Sequence, residues 1–339
     1  MKEIVITGDI GGIPIWRYKT SEERLLELID TLEKENQAQK LSTRLAEMIQ
    51  KAARNMESQV DFDEVKHIYK LKSGEWLQGV STVSSIVPKD WLSAWGAKEC
   101  AKFLGYSDYK NEIDRKKALG MMERISNIYE SYKTLEQDKT IDEYIDLLKE
   151  AKGACARKSK DALVDGKLGH AWLEEYVKAK INNTPIPEIP DGMLERPLMQ
   201  FIQWEQENVA YWILSEAKVV NPEKKYAGTL DAVAVMKNGK LALVDFKFAS
   251  HISEDYYLQT AGYQACFEPY KIPFQTRIII RLPKTLEREE YNPKTHTYSM
   301  VENNIDVVEV PTTYEEDKQA FFGALPVKAW CNKFKKSFN

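Results

Sequence analysis

The chain lacks close cysteine pairs, long apolar runs, a phosphate-binding glycine loop and a strong charge of either sign. Each shortage excludes a class of protein. The four cysteines, Cys100, Cys155, Cys266 and Cys331, stand at least 55 residues apart. Zinc ribbons and disulfide scaffolds need clustered cysteines, so the four are read as reduced thiols. No run approaches the ~20 apolar residues of a membrane-spanning helix. The start, Met1 to Gly8, has neither the apolar stretch nor the small-residue cleavage site of a signal peptide. A cytoplasmic protein without a membrane partner is therefore expected. Gly8, Gly11 and Gly12 are followed by no Lys-Ser/Thr pair and no helix opens behind them, so they are read as turns. The formal net charge is −4, from 48 basic and 52 acidic residues. A nucleic-acid partner would have to be attracted locally or through metal ions.

What is present is ordinary globular material: 339 residues, 43% hydrophobic and 11% aromatic. At roughly 150 residues per domain, that length suggests about two domains, or one core with appendages. Met1 to Trp16 is expected to form a strand or hairpin. Ser21 to Met56 has helical periodicity through Leu25, Leu26, Leu28, Ile29 and Leu32, with a break at Asn36-Gln37. His67–Leu71 and Trp76–Val80 flank Ser73-Gly74 as a hairpin. A helix follows Pro88-Lys89-Asp90, and Glu112 to Lys152 is charged and helical. Beyond Lys158 the pattern is α/β. Helices are expected over Ala162–Lys180, Arg196–Trp212, Asp255–Phe267 and Tyr314–Lys335. Strands are expected near Ile213–Val220, Ala227–Met236, Lys240–Phe248, Thr276–Leu282 and Asp306–Val310. The implied divisions are 1–57 (hairpin and helical arm), 58–157 (mostly helical), 158–310 (α/β core) and 311–339 (C-terminal helix).

Chemistry concentrates in two strands joined by the Asn238-Gly239 turn. One carries Asp231 and the other Asp245 and Lys247. Two residues apart on a strand, Asp245 and Lys247 share a face. Their apolar neighbours make a lone carboxylate costly there unless a cation accompanies it. Helix Ala162–Lys180 sets Gly166, His170 and Glu174 on one stripe. A glycine inside a helix costs about 1 kcal/mol against alanine, so a close approach at Gly166 is expected. Gln259 and Tyr263 are one turn apart on the helix after the Asp–Lys strand. Arg157, Lys158 and Lys160 crowd the approach to His170 and are candidate phosphate contacts.

The ordered set Gly166-x-x-x-His170, Gly228-Thr229-Leu230-Asp231, Asp245-Phe246-Lys247 and Gln259-x-x-x-Tyr263 resembles the RecB-type branch of the PD-(D/E)XK nuclease superfamily. Ser215-Glu216, and the segment from His67 to Trp95, are similar to its phage-type members. The resemblance spans roughly residues 61–285. It implies an α/β, restriction-endonuclease-like core, a central mixed sheet flanked by helices, with a helical N-terminal extension. It also implies a metal-dependent deoxyribonuclease, an exonuclease of phage or bacterial recombination or repair. One or two Mg²⁺ or Mn²⁺ ions would be held by His170, Asp231, Asp245 and the Phe246 carbonyl. Lys247 would act on the attacking water and the phosphorane charge, and Glu216 is a further catalytic candidate. Glu174 would orient or ligate, and Gln259 and Tyr263 would brace the site or touch the nucleic-acid backbone. The partner would be DNA, single-stranded or duplex ends, with a recombination or annealing protein as a second partner. Iron–sulfur relatives place a cysteine before the histidine motif and a cluster near the C-terminus. Cys155 suits the first position, but Cys331 alone serves the second, so no iron–sulfur cluster is expected. Two other readings stay open: a non-catalytic nucleic-acid-binding or assembly subunit on this fold, and a structure-specific endonuclease.

Overall fold

The structure, a computed structural model, describes residues 4–10, 13–18, 43–89, 91–106, 112–133, 137–292 and 297–335. Strands β1 (Ile4–Ile10) and β2 (Ile13–Tyr18) form an antiparallel pair of their own. Helix α1 covers residues 43–57. The earlier part of the helical stretch expected from Ser21, residues 21–42, lies outside the described residues.

An eight-stranded mixed sheet forms the centre. Its first three strands are short: β3 (Val60–Asp63), β4 (Ile68–Leu71) and β5 (Trp76–Gly79). Helix α2 (Val80–Ser84) follows β5 directly. After the helices α3 (Trp91–Phe103), α4 (Glu112–Lys133), α5 (Gln137–Asn182) and α6 (Glu195–Asn208), the chain returns to the sheet. It adds β6 (Val209–Asn221), β7 (Tyr226–Met236) and β8 (Leu241–Phe248). Helix α7 (Asp255–Ala265) crosses to β9 (Thr276–Leu282), which lies parallel to β8. A separate hairpin, β10 (Glu287–Asn292) and β11 (Thr297–Glu302), precedes the edge strand β12 (Asp306–Glu309). Helix α8 (Tyr314–Lys335) ends the described chain.

Two apolar layers sandwich this sheet. On one face α1, α7 and α8 contribute Ile49, Met56, Tyr263 and Phe321 against Val233, Leu241 and Leu243. On the other, α5 and α6 contribute Leu173, Tyr176, Leu198 and Phe201 against Ala232, Val244 and Phe246. The alternation along β8 explains the division: Leu241 and Leu243 face one layer, Ala242, Val244 and Phe246 the other. Buried on both faces, β8 and β9 read as nearly continuous apolar runs.

Several elements differ from the sequence expectations. The helix expected at Ala162–Lys180 is the last part of α5, which runs 46 residues, about 70 Å, without a break. It therefore passes straight through residue 158, where a domain division was expected. No proline interrupts it, and Gly153 alone is too weak a breaker. Strands β4 and β5 form the hairpin expected across Ser73-Gly74, and with β3 they join the central sheet. Helix α6 stops at Asn208, and Val209–Trp212 open β6 instead. The β10–β11 hairpin was not anticipated. Among the described residues no helix is long and apolar enough to cross a membrane.

Candidate metal centre

The site sits where the sheet forks. Strand β6 pairs with β7 along its whole length. The other edge of β7 is shared: β8 takes Ala232–Val235, and β5 takes Tyr226 and Ala227. Between them Gly228 to Asp231 have no strand partner on that edge among the described residues. Continued by one step, the β7–β8 register would set Asp231 directly opposite Asp245, two like charges in the closest cross-strand relation. The strands part there instead. The Phe246 N–H, released from the ladder, donates to Asp231 Oδ2 at 2.6 Å.

Side chains close the fork. Tyr69 on β4 shares a 3.0 Å hydroxyl contact with Thr229. Tyr263 on α7 packs onto the bare backbone of Gly228, where an added Cβ would stand 2.6 Å from its ring. Gln259 Nε2 donates to the Tyr263 hydroxyl at 2.9 Å, and both residues are buried. These two therefore brace the fork from below.

His170, Glu216 and Asp231 converge. One ligand atom from each lies within 4.8 Å of the other two. Glu216 reaches the group through an irregularity: Ser215 pairs with Ala232 and Ala217 with Leu230, while Glu216 adopts φ +47° between them. A left-handed non-glycine residue inside a strand is strained by about 1–3 kcal/mol, a cost typical of functional sites. Burial lifts the Glu216 carboxyl to about 8, with Asp231 and Glu174 adding repulsion. Burial raises Asp231 too, opposed by Lys247 and by the Phe246 N–H. His170 moves the other way, to about 4, because burial and the Lys247 and Lys284 ammoniums disfavour its cation. Its imidazole is neutral at pH 7, with a lone pair available to a ligand. The ring packs edge-on against Phe248, with centroids 5.3 Å apart.

Asp245 stands beside this trio. It is 1% exposed, and neither carboxylate oxygen receives a hydrogen bond of acceptable geometry. Its companion is Lys247, whose Nζ lies 2.5 Å from Oδ2. Burial raises the Asp245 carboxyl, an effect partly offset by that ammonium. Lys247 is raised as well, because Asp245 and Asp231 together outweigh its own burial. The ammonium also rests 5.1 Å from the centroid of the Tyr256 ring, a cation–π contact that fixes its direction.

A neutral imidazole, two carboxylates in reach of one point, and a third carboxylate beside them whose Oδ2 is held by Lys247 form a nitrogen–oxygen donor set suited to a divalent metal. Their mutual repulsion and raised acidities are what a cation between them would relieve. The residues therefore fit a metal of the Mg²⁺ or Mn²⁺ kind, with imidazole favouring Mn²⁺.

Not every expected residue belongs to this centre. Glu174 pairs with Lys178 one turn along α5 and reaches Glu216 only through its charge. The Phe246 ring packs among Phe201 and Trp212, so its link to the site is its backbone. Arg157 donates to the Glu150 carbonyl at 2.6 Å and covers Phe103, and Lys158 pairs with Glu99 at 2.9 Å. Lys160 is exposed on α5 ten residues before His170, about 15 Å along the helix. The structure thus gives Arg157 and Lys158 protein partners away from the fork. At Gly166 an added Cβ would meet only ordinary contacts, 3.6 Å from Lys284 Nζ and 3.7 Å from Phe248 Cβ. The tight approach is at Gly169, where it would stand 2.1 Å from the Phe248 ring. That requirement, and the contributions of Tyr69 and Lys284, have no local signature in the sequence.

A cleft of about 730 Å³ opens from Glu216 between α1, the β3–β4 hairpin, α5 and β6. Arg54, His67, Lys178 and Lys218 lie along it. Comparison with models of known families and with curated proteins returns no match.

Proposed function

We propose that the chain is a metal-dependent deoxyribonuclease built on a restriction-endonuclease-like core, and that it works as an exonuclease in DNA recombination or repair. The observation that carries this reading is the forked sheet, with Asp231 and the Asp245–Lys247 pair on its two prongs and a neutral His170 facing them. The motif resemblance supplies the polymer and the end-directed mode; the geometry supports the chemistry.

His170, Glu216 and Asp231 would hold the ion, and Asp245 Oδ1 offers a further contact. A bound Mg²⁺ or Mn²⁺ supplies Lewis-acid polarisation of the phosphoryl group and a more acidic water. Lys247 stays an ammonium, because two carboxylates raise its affinity for the proton. Its part is therefore electrostatic: it faces the negative charge that develops on the phosphoryl oxygens as water adds to phosphorus. Tyr256 limits where that ammonium points, and Gln259 with Tyr263 holds the prongs apart. The cleft beyond Glu216 gives a strand a path to the site; its lysines are paired, Lys178 with Glu174 and Lys218 with Glu57, so attraction for phosphate would rest on Arg54 and the bound cation.

The test is hydrolysis of end-labelled DNA with Mg²⁺ or Mn²⁺. Wild type should release nucleotides and chelation should stop it. Asp245→Ala and Lys247→Ala should each lose at least about a hundredfold in rate. Equal rates in all three proteins would refute the reading, and covalently closed circles should resist an enzyme that needs an end. Folded wild-type protein that binds DNA without cutting it would favour the non-catalytic subunit.

A further inference from the structure

Away from the metal centre, the least satisfied surface is the arm formed by α4 and the first half of α5. Helix α4 packs chiefly against α5. The seam between them is thin: Ala118, Thr140, Leu147 and Ala151 are buried. The outer stripes are apolar and open. Met122, Ile125, Tyr129 and Tyr132 follow one another at spacings of three and four along α4, on one side of the helix. Ile141, Tyr144, Ile145 and Leu148 repeat the pattern on α5. With Leu119, these side chains are 40–65% exposed among the described residues. A groove of about 310 Å³ runs between the two stripes.

Area and charge together indicate what covers them. At roughly 100 Å² of exposed surface per side chain, the stripes offer about 900 Å² in one copy. That exceeds the ~300–600 Å² of the largest apolar patch on a typical monomer. Two copies face to face would bury about 1,800 Å², within the ~1,200–2,000 Å² of specific stable interfaces. Tyrosine and methionine are residues such interfaces favour. Helix α4 is nearly balanced, five basic against four acidic, with Arg124 paired to Glu150 of its own arm, whereas residues 137–150 carry two basic and five acidic. A two-fold axis that lays each α4 over the partner's α5 therefore keeps the two acidic segments apart while joining the apolar stripes. Four helices then enclose one core, which a two-helix arm cannot do alone.

We infer that the α4–α5 arm is a homodimer interface, two arms closing into a four-helix bundle. The inference is independent of the proposed nuclease activity. Sedimentation velocity of the full chain from about 0.1 to about 100 µM tests it, with wild type beside an Ile125→Glu/Tyr129→Glu variant. Wild type should pass from monomer to dimer across that range, and the variant should remain monomeric with an unchanged melting temperature for the core. Hydrogen exchange of wild type alone gives a second measurement: amides over residues 119–148 should gain protection as concentration rises. A wild type that stays monomeric throughout overturns the inference, as does a dimer that survives in the folded variant. Arm protection that does not depend on concentration also overturns it, because the chain's own residues would then cover the stripes.

Discussion

Glu216 bears two costs at once, a left-handed backbone and a carboxyl held at about 8 by burial and by Asp231. Without metal, that carboxyl stays protonated in the folded state while the unfolded chain ionises it near 4.5. A pKa raised by folding gives stability that is fully present below the unfolded value and lost as pH rises through the folded one. His170 runs oppositely: its folded value of about 4 lies below 6.5, so its contribution is complete above 6.5 and lost as pH falls through 4. From pH 6.5 to 8 the Glu216 effect therefore governs this pair, and it lowers metal-free stability as pH rises. A divalent ion requires Glu216 in its ionised form, so binding and proton release are linked. The rise in melting temperature produced by Mn²⁺ should grow from pH 6.5 to pH 8 in wild type. In Glu216→Gln it should be smaller and flatter. Thermal melts at constant ionic strength measure both, and identical pH profiles would remove Glu216 from the ligand set.

At the scale of elements, α5 and β8 meet through one glycine. Gly169 lets the helix lie against the Phe248 ring, and that contact sets His170 at the fork. Gly169→Ala should lose about 1–3 kcal/mol through overpacking, offset by roughly 1 kcal/mol of helix propensity. The expected net loss is about 0–2 kcal/mol, a drop of up to a few degrees in melting temperature, with weaker metal binding. Gly166→Ala has room and should be neutral or stabilising by up to about 1 kcal/mol. Calorimetry of the two variants decides this, and equal effects would contradict the packing described. The same elements show what was legible in the sequence. The Asn238-Gly239 turn and the alternation around it placed β7 and β8, and periodicity placed α7 and α8. Asp231, Asp245, Lys247 and His170 were legible because residue type and order carry them. The left-handed backbone that turns Glu216 into the trio, between the in-step pairs Ser215–Ala232 and Ala217–Leu230, depends on the assembled sheet, and Gly169 rather than Gly166 depends on where one ring lies. Neither is a local property. Hairpin β10–β11 was not anticipated: its first strand opens on Glu287, Arg288, Glu289 and Glu290, which show no apolar alternation.

Across the whole molecule, an acidic balance of −4 would oppose the proposed DNA substrate unless a cation offsets it locally. Three of its acids, Glu216, Asp231 and Asp245, crowd one fork, where a cation would cancel their charge. The long helix α5 ties that fork to the arm: its last turns carry His170 and Glu174, its first turns the apolar stripe. Catalytic core and assembly surface would thus share one rigid element about 70 Å long. The fork is proposed to hold a divalent ion. Crystals of the full chain soaked in Mn²⁺, with anomalous diffraction collected above the manganese edge, show whether it does. A peak is expected within bonding distance of a His170 ring nitrogen and of carboxylate oxygens of Glu216 and Asp231, with Asp245 alongside. A well-ordered fork without a peak, or manganese bound only elsewhere, would contradict it.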